Sequence, residues 1–96
     1  MREIVMHSVV IYGADYDSVE DIHQTLAEAL DFPGYYGKNL DALYDVLTDI
    51  DQPVSITIDL CDISNDEMLR YLERMIEVIS DAVNENENIE LEIIEP

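Results

Sequence analysis

Basic residues are scarce in this chain of 96 residues. Four Lys and Arg stand against 23 Asp and Glu, so the formal net charge at pH 7 is −19. Binding to nucleic acid phosphates needs clustered Lys and Arg, which makes nucleic acid a very poor partner. A negative field of this strength instead attracts and steers positively charged molecules, so the composition favours a basic protein as the partner.

Cysteine and long apolar runs are also in short supply. The one cysteine, Cys61, cannot form an internal disulfide, and its place after a strand-like run predicts a buried thiol in a reducing compartment. No apolar run approaches the roughly 20 residues of a membrane span. The opening Met1-Arg2-Glu3 does not resemble a signal peptide. We therefore expect a cytoplasmic protein that does not bind membranes.

Catalytic and metal-binding patterns are missing as well. The sequence has neither Cys/His spacing of the zinc type nor an EF-hand loop. His23 falls on the inner margin of a predicted helix, where a semi-buried, hydrogen-bonded role is expected, and His7 has no motif around it. Asp41 and Asp45 could imitate an acid/base pair, but exposure would not drive their pKa values apart. We expect no enzyme activity, no cofactor and no metal.

The length and the hydrophobic content of 48% predict one domain over residues 1–96, because chains usually divide only beyond roughly 250 residues. Apolar residues that are β-branched or alternate with polar ones predict strands over His7 to Tyr12, Val54 to Leu60 and Ile89 to Ile94. Alternation in two of these strands indicates that only one sheet face is covered.

Apolar residues at helical spacing predict three helices. The first runs from about Ser18 to Leu30 and is stopped by Phe32-Pro33-Gly34; the second has its N-cap at Asn39 and is stopped by Pro53. The third begins at a capping box of Ser64 with Glu67. The order β-α-α-β-α-β predicts an α/β two-layer sandwich, in which helices cover one face of a three-stranded parallel sheet.

The second helix carries an acidic column that core packing does not explain. Asp41, Asp45 and Asp49 recur every four residues, and like charges at this spacing destabilise a helix by roughly 0.2–0.5 kcal/mol per pair. The column is either an ordinary solvated face or part of a binding surface. Tyr35 and Tyr36 precede the helix and favour a protein-binding surface, because tyrosine offers a large contact area with few torsions to freeze. Alternatively, one of the two rings fills the core and the other lies on the surface.

Two segments resemble the signature of the barstar-type ribonuclease inhibitors. The first is Asp21-Ile22-His23-Gln24-Thr25-Leu26, and the second, after Pro33, is Tyr35-Tyr36-Gly37-Lys38-Asn39-Leu40-Asp41-Ala42-Leu43-Tyr44-Asp45. The family patterns at these places are DLHQTL-like and YYG-x-NLDALWD-like. The resemblance implies the same parallel sheet covered on one face by helices. It also implies an intracellular inhibitor, or immunity protein, that blocks the active site of a small basic extracellular or toxic ribonuclease.

The resemblance further implies a set of partner-binding residues. Asp45 is expected to take the place of a phosphate, Asp41 to support it and Tyr35 to pack over the catalytic histidine of the enzyme. The remaining expected contacts are Tyr36, Gly37, Asn39, Leu40, Tyr44 and Asp81. Tyr44 stands where the family has Trp, and Lys38 adds a positive charge, so the target could be a basic toxin that is not a ribonuclease. The free chain is expected to be a monomer.

Overall fold

A computed structural model describes residues 7–96 of the chain. Three strands form one sheet in the order β1-β2-β3, with both neighbouring pairs parallel. The strands are β1 (His7–Tyr12), β2 (Val54–Asp59) and β3 (Ile89–Ile94). The predicted α/β fold is therefore confirmed, and β2 ends one residue before its predicted limit. Residues Met1 to Glu3, which do not resemble a signal peptide in sequence, lie outside the described residues.

The two faces of the sheet differ as the alternating pattern predicts. In β2, the side chains of Ile56 and Ile58 are fully buried, while Thr57 between them is only partly covered. Thr57 is in register with Val10 of β1 and Glu92 of β3, and both of these are exposed. Apolar residues at alternate positions thus pack under the helices, and the opposite face meets solvent.

Three helices cover the buried face: α1 (Val19–Leu30), α2 (Leu40–Thr48) and α3 (Asp66–Glu85). A short 3-10 helix, Gly13–Asp15, follows β1. Ser18 caps α1 by accepting a hydrogen bond from the Asp21 N–H at 3.2 Å, as predicted. No helix in residues 7–96 combines the length and the apolar character needed to cross a bilayer.

The predicted start of α3 was wrong by one residue. Asn65, rather than Ser64, is the N-cap, and its side-chain oxygen accepts hydrogen bonds from the backbone N–H groups of Glu67 and Met68 at 2.9 and 3.2 Å. Adjacent Ser and Asn are both strong N-caps, so sequence alone does not separate them. Because one amide oxygen accepts two backbone hydrogen bonds, Asn65 stabilises the first turn.

The first helix ends at Leu30, as predicted, and the second ends well before its predicted stop at Pro53. Asp31 ends α1 in the left-handed conformation, at φ 56°, ahead of the Phe32-Pro33-Gly34 run. Asp tolerates this region better than most residues other than glycine. The second helix ends at Thr48, with Asp49 as C-cap, and does not continue to Pro53. The left-handed turn at Asp31 therefore terminates α1 before proline can.

Cys61 is partly exposed, so the prediction of a buried thiol was wrong. The chain turns directly after β2, with Asp62 in the left-handed conformation at φ 62°. The Cys61 N–H donates to a carboxylate oxygen of Asp59 at 2.8 Å, which helps to form this turn. A hydrogen bond with the Asp59 side chain also raises the pKa of the Cys61 thiol.

Candidate partner-binding site

An open groove of about 380 Å³ lies between the loop that follows α1 and the outer surface of α2. Acidic and aromatic side chains occur in its lining, together with the partly buried apolar side chains of Val46 and Ile50. Four of the residues that line the groove are predicted partner contacts: Tyr35, Tyr36, Gly37 and Asp45. The structure therefore brings the paired tyrosines and the central carboxylate to one surface feature.

The acidic column of α2 is solvent-exposed at all three turns. Asp41 lies in the first helical turn, where the helix dipole favours a negative charge, and Asp49 is the C-cap, where the dipole disfavours it. Asp45 and Asp49 line the groove, while Asp41 lies one turn before Asp45 on the same helix. A rigid element thus presents two carboxylates beside a concave surface, with a third next to it.

The two adjacent tyrosines have opposite environments. Tyr35 is 88% exposed, whereas the ring of Tyr36 packs edge-on against buried Phe32 with 4.9 Å between ring centroids. The Tyr36 hydroxyl lies 2.6 Å from Nδ1 of His23, and burial raises the pKa of this hydroxyl. One ring of the pair is therefore packed against the core and the other lies on the surface, while both line the groove. Tyr35 is the ring available to a partner.

A tight turn fixes the start of α2 against the loop. The Asn39 side-chain oxygen accepts a hydrogen bond from the Ala42 N–H at 2.8 Å, and its amide nitrogen donates to the Gly37 carbonyl at 3.3 Å. A Cβ atom on Gly37 would lie only 3.2 Å from the Asn39 amide nitrogen, so a larger residue would disturb this cap. Lys38 adopts the left-handed conformation at φ 53°. Gly37 and Asn39 therefore shape the site, whatever contact they make with a partner.

The remaining predicted contacts are less directly placed. Leu40 and Tyr44 are partly buried and pack against the core from α2. Asp81 is exposed on α3 and does not line the groove. The predicted contacts in the loop and in α2 therefore lie near one another, whereas Asp81 lies apart from the groove on α3.

Sequence reasoning left two acidic residues of the groove out of the predicted site. Asp49 belongs to the recognised acidic column, so the four-residue spacing could have identified it. Asp31 carried no such signal, because it reaches the groove through the left-handed turn that ends α1. Together with Asp45, these residues place three carboxylates around one concave surface.

The acidic and imidazole side chains considered for catalysis or metal binding have the following arrangement in the described residues. Residues 7–96 contain no group of three His, Cys, Asp or Glu side chains arranged to hold a metal ion. Asp41 and Asp45 are both exposed, so neither is in the desolvated environment of a catalytic carboxylic acid. His23 is fully buried and hydrogen-bonded, which confirms its predicted hydrogen-bonded role and exceeds its predicted burial.

The parallel three-stranded sheet, the helices on one face and the acidic groove beside paired tyrosines are those of a barstar-like α/β domain. The family described as Barstar (barnase inhibitor) matches residues 6–94, and the chain belongs to this family. A similar protein, "Putative ribonuclease inhibitor YrdF" from Bacillus subtilis (strain 168), is 40% identical over 81 residues, which cover 83% of this chain and 89% of that protein. Members of the family are inhibitors and not enzymes, so the chain has a barnase-inhibitor-like role and is not an enzyme.

Proposed function

We propose that the chain inhibits a small basic ribonuclease by placing α2 and Tyr35 in the catalytic cleft of that enzyme. Asp45 occupies the position of an RNA phosphate, where it meets the arginines and the catalytic histidine of the target. Asp41 supports it, and the ring of Tyr35 packs over the same histidine. The inhibitor acts in the cytoplasm of the producing cell as an immunity protein. Its family and the name of its relative support the inhibition of a ribonuclease.

The physical basis of the proposal is substrate mimicry. A ribonuclease must hold phosphates, so its cleft is electropositive, and a carboxylate can take the place of a phosphate oxygen. The carboxylates of α2 are attached to a capped helix, so little conformational freedom is lost on binding. A carboxylate also offers no phosphodiester bond to cleave. The acidic helix therefore binds as a decoy that the enzyme cannot process.

The observation that carries the proposal is the shared groove of Tyr35 and Asp45. A side chain that is 88% exposed contributes little to folding, yet Tyr35 offers a large aromatic surface in the same groove as the Asp45 carboxylate. Aromatic residues and centrally placed charges account for much of the energy at interfaces between proteins. We expect a cationic or imidazole side chain of the partner to enter this groove, where it can meet both an aromatic ring and a carboxylate.

The first experiment tests the central carboxylate. Barnase, the enzyme that the family description names, is assayed for RNA cleavage with increasing amounts of wild type, Asp45→Ala or the control Asp17→Ala. Asp17 is equally exposed but lies ahead of α1, away from the groove. Losing a central charged contact typically costs about 2–4 kcal/mol, so we expect the inhibition constant of Asp45→Ala to rise roughly 30- to 1000-fold.

We expect Asp17→Ala to inhibit as the wild type does. Equal inhibition by all three proteins would show that Asp45 does not contribute to inhibition. If wild type fails to inhibit barnase, the assay is extended to other small basic ribonucleases. Failure against all of them would contradict the proposed function and favour a basic partner of another kind.

A further inference from the structure

The imidazole of His23 connects the loop after α1, which lines the groove, to α3, which does not line it. Its Nδ1 lies 2.6 Å from the Tyr36 hydroxyl, and its Nε2 lies 2.7 Å from the hydroxyl of Tyr71 on α3. His23 is fully buried, so water does not compete for these bonds. One side chain of α1 thus joins the loop to α3 through two short hydrogen bonds.

A neutral imidazole can satisfy both contacts in only one way. One ring nitrogen carries a hydrogen and donates it, and the other has a lone pair and accepts. One tyrosine hydroxyl therefore donates to the ring, and the other accepts from it. Removing either hydroxyl leaves a buried imidazole nitrogen without its partner, which costs more than an ordinary exposed hydrogen bond.

We infer that His23 and Tyr71 are positioning residues, which act through Tyr36 to hold the segment 32–39 and to keep Tyr35 at the edge of the groove. Tyr36 and Tyr35 are adjacent, so fixing the ring of Tyr36 also fixes the backbone that carries Tyr35. The Tyr36 N–H donates to the Pro33 carbonyl at 3.0 Å, and this turn depends on the same anchor. The ordering concerns the free chain, so it holds even if the partner is not a ribonuclease.

Protonation of the imidazole would break this arrangement, so the connection is sensitive to pH. Protonated His23 would donate from both nitrogens, so both tyrosine hydroxyls would have to accept and find new acceptors for their own hydrogens. The other titratable groups that face it are Tyr36 from the loop and Tyr71 from α3. Burial lowers the pKa of His23, which keeps the ring neutral at pH 7.

The charged residues nearest to this connection lie on the α3 side, around Tyr71. Arg74 lies over the Tyr71 ring, 5.5 Å from its centroid. An open cavity that Tyr71 helps to line is also bordered by the charged residues Asp17, Glu67, Arg70, Glu73 and Glu77. On α1 itself, Glu20 is exposed one turn before His23. None of these carboxylates is hydrogen-bonded to the imidazole, both of whose nitrogens are bonded to tyrosines.

Hydrogen exchange of the Tyr36 amide in the free chain tests this inference by NMR. The variant Tyr71→Phe keeps the aromatic ring under Arg74 and removes only the hydroxyl. The matched control is Tyr16→Phe, which removes another partly buried tyrosine hydroxyl, bonded to Thr25 Oγ1 at 3.1 Å and not connected to the loop. We expect Tyr71→Phe to lower the protection factor of the Tyr36 amide about 3- to 10-fold, and Tyr16→Phe to leave it unchanged.

The pH profile separates positioning from a general loss of stability. In wild type, protection of the Tyr36 amide should be complete above pH 6.5 and decrease at lower pH as the His23 ring titrates, as followed by its own resonances. A Gln side chain offers one donor and one acceptor but does not titrate, so protection of the Tyr36 amide in His23→Gln should lack that pH step. Unchanged Tyr36 protection in Tyr71→Phe, or the same pH step in His23→Gln, would overturn the inference.

Discussion

At the scale of single residues, the two adjacent tyrosines have different roles: one is exposed and the other is packed against the core. Tyr35 is almost fully exposed, and Tyr36 packs on Phe32 and contacts His23. Sequence could predict an aromatic pair beside an acidic helix, but not which ring is packed. The reason is that a loop has no periodicity, so the direction of each side chain depends on the turn at residues 33–36.

This division predicts that replacing Tyr36 costs much more stability than replacing Tyr35. Tyr35→Ala should leave the free energy of unfolding within about 0.5 kcal/mol of wild type, because an exposed side chain makes few contacts. Tyr36→Ala should lower it by about 2 kcal/mol or more, since it removes a packed ring and the hydrogen bond to His23. Urea denaturation followed by circular dichroism measures both. Equal destabilisation by the two variants would contradict the assigned environments.

At the scale of elements, the position of α2 depends on a hydrogen-bonded contact with the end of α3. The buried Asn86 side chain donates to the Leu47 carbonyl at 2.9 Å and the Ile50 carbonyl at 2.8 Å. Asn88 adds a further bond to the Ile50 carbonyl at 3.2 Å. The Leu47 carbonyl also accepts a bond from the Ile50 N–H at 3.3 Å, so Asn86 adds a further bond there, and Asn86 and Asn88 together supply donors to the Ile50 carbonyl just beyond α2. Asn and Glu alternate over residues 84–88, and nothing in that pattern singles out Asn86 as the buried one.

Replacing Asn86 should therefore loosen the acidic helix. We expect Asn86→Ala to lower the free energy of unfolding by about 1–3 kcal/mol, because two buried carbonyl groups lose a donor. Asn84→Ala is the matched control, since Asn84 is exposed on the final turns of α3, and it should change stability by less than about 0.5 kcal/mol. Chemical denaturation of both variants decides the matter. Similar stabilities for the two variants would mean that Asn86 does not anchor α2.

The elements themselves were largely predictable, and their ends less so. Alternation in β2 and the spacing of apolar residues in α1 and α3 come directly from the periods of strand and helix. Ends depend on which of several suitable residues adopts the capping geometry. Ser64 and Asn65 are both suitable N-caps for α3, and Asn65 is the one that caps it. At the end of α1, Asp31 rather than Gly34 adopts the left-handed conformation. The shape of the groove was therefore not predictable from sequence, because the turn at Asp31 forms part of its lining.

At the scale of the whole molecule, the net charge of −19 acts over a longer range than any single contact. Charged side chains repel one another within the chain, but their combined field attracts a basic protein before contact. Such steering raises association rates by roughly 10- to 1000-fold over a neutral encounter. Salt screens it, because the Debye length shrinks from about 30 Å at 0.01 M to about 8 Å at 0.15 M.

We therefore expect the association rate with a basic ribonuclease to decrease steeply between these salt concentrations. The dissociation rate should change much less, because desolvated contacts at the centre of the interface control it. Stopped-flow mixing with an inhibited target such as barnase measures both rates. An association rate that is independent of salt would show that the acidic composition does not steer binding.

The central claim is that the segment from Tyr35 to Asp49 is the surface that meets the ribonuclease. Mapping amide chemical shifts of the labelled chain on addition of barnase, or of whichever basic ribonuclease it inhibits, tests this claim directly. The account predicts that the perturbed amides cluster in this segment, with little change at Val10, Thr57 and Glu92 on the open face of the sheet. Perturbation of that open face with α2 unaffected would contradict it.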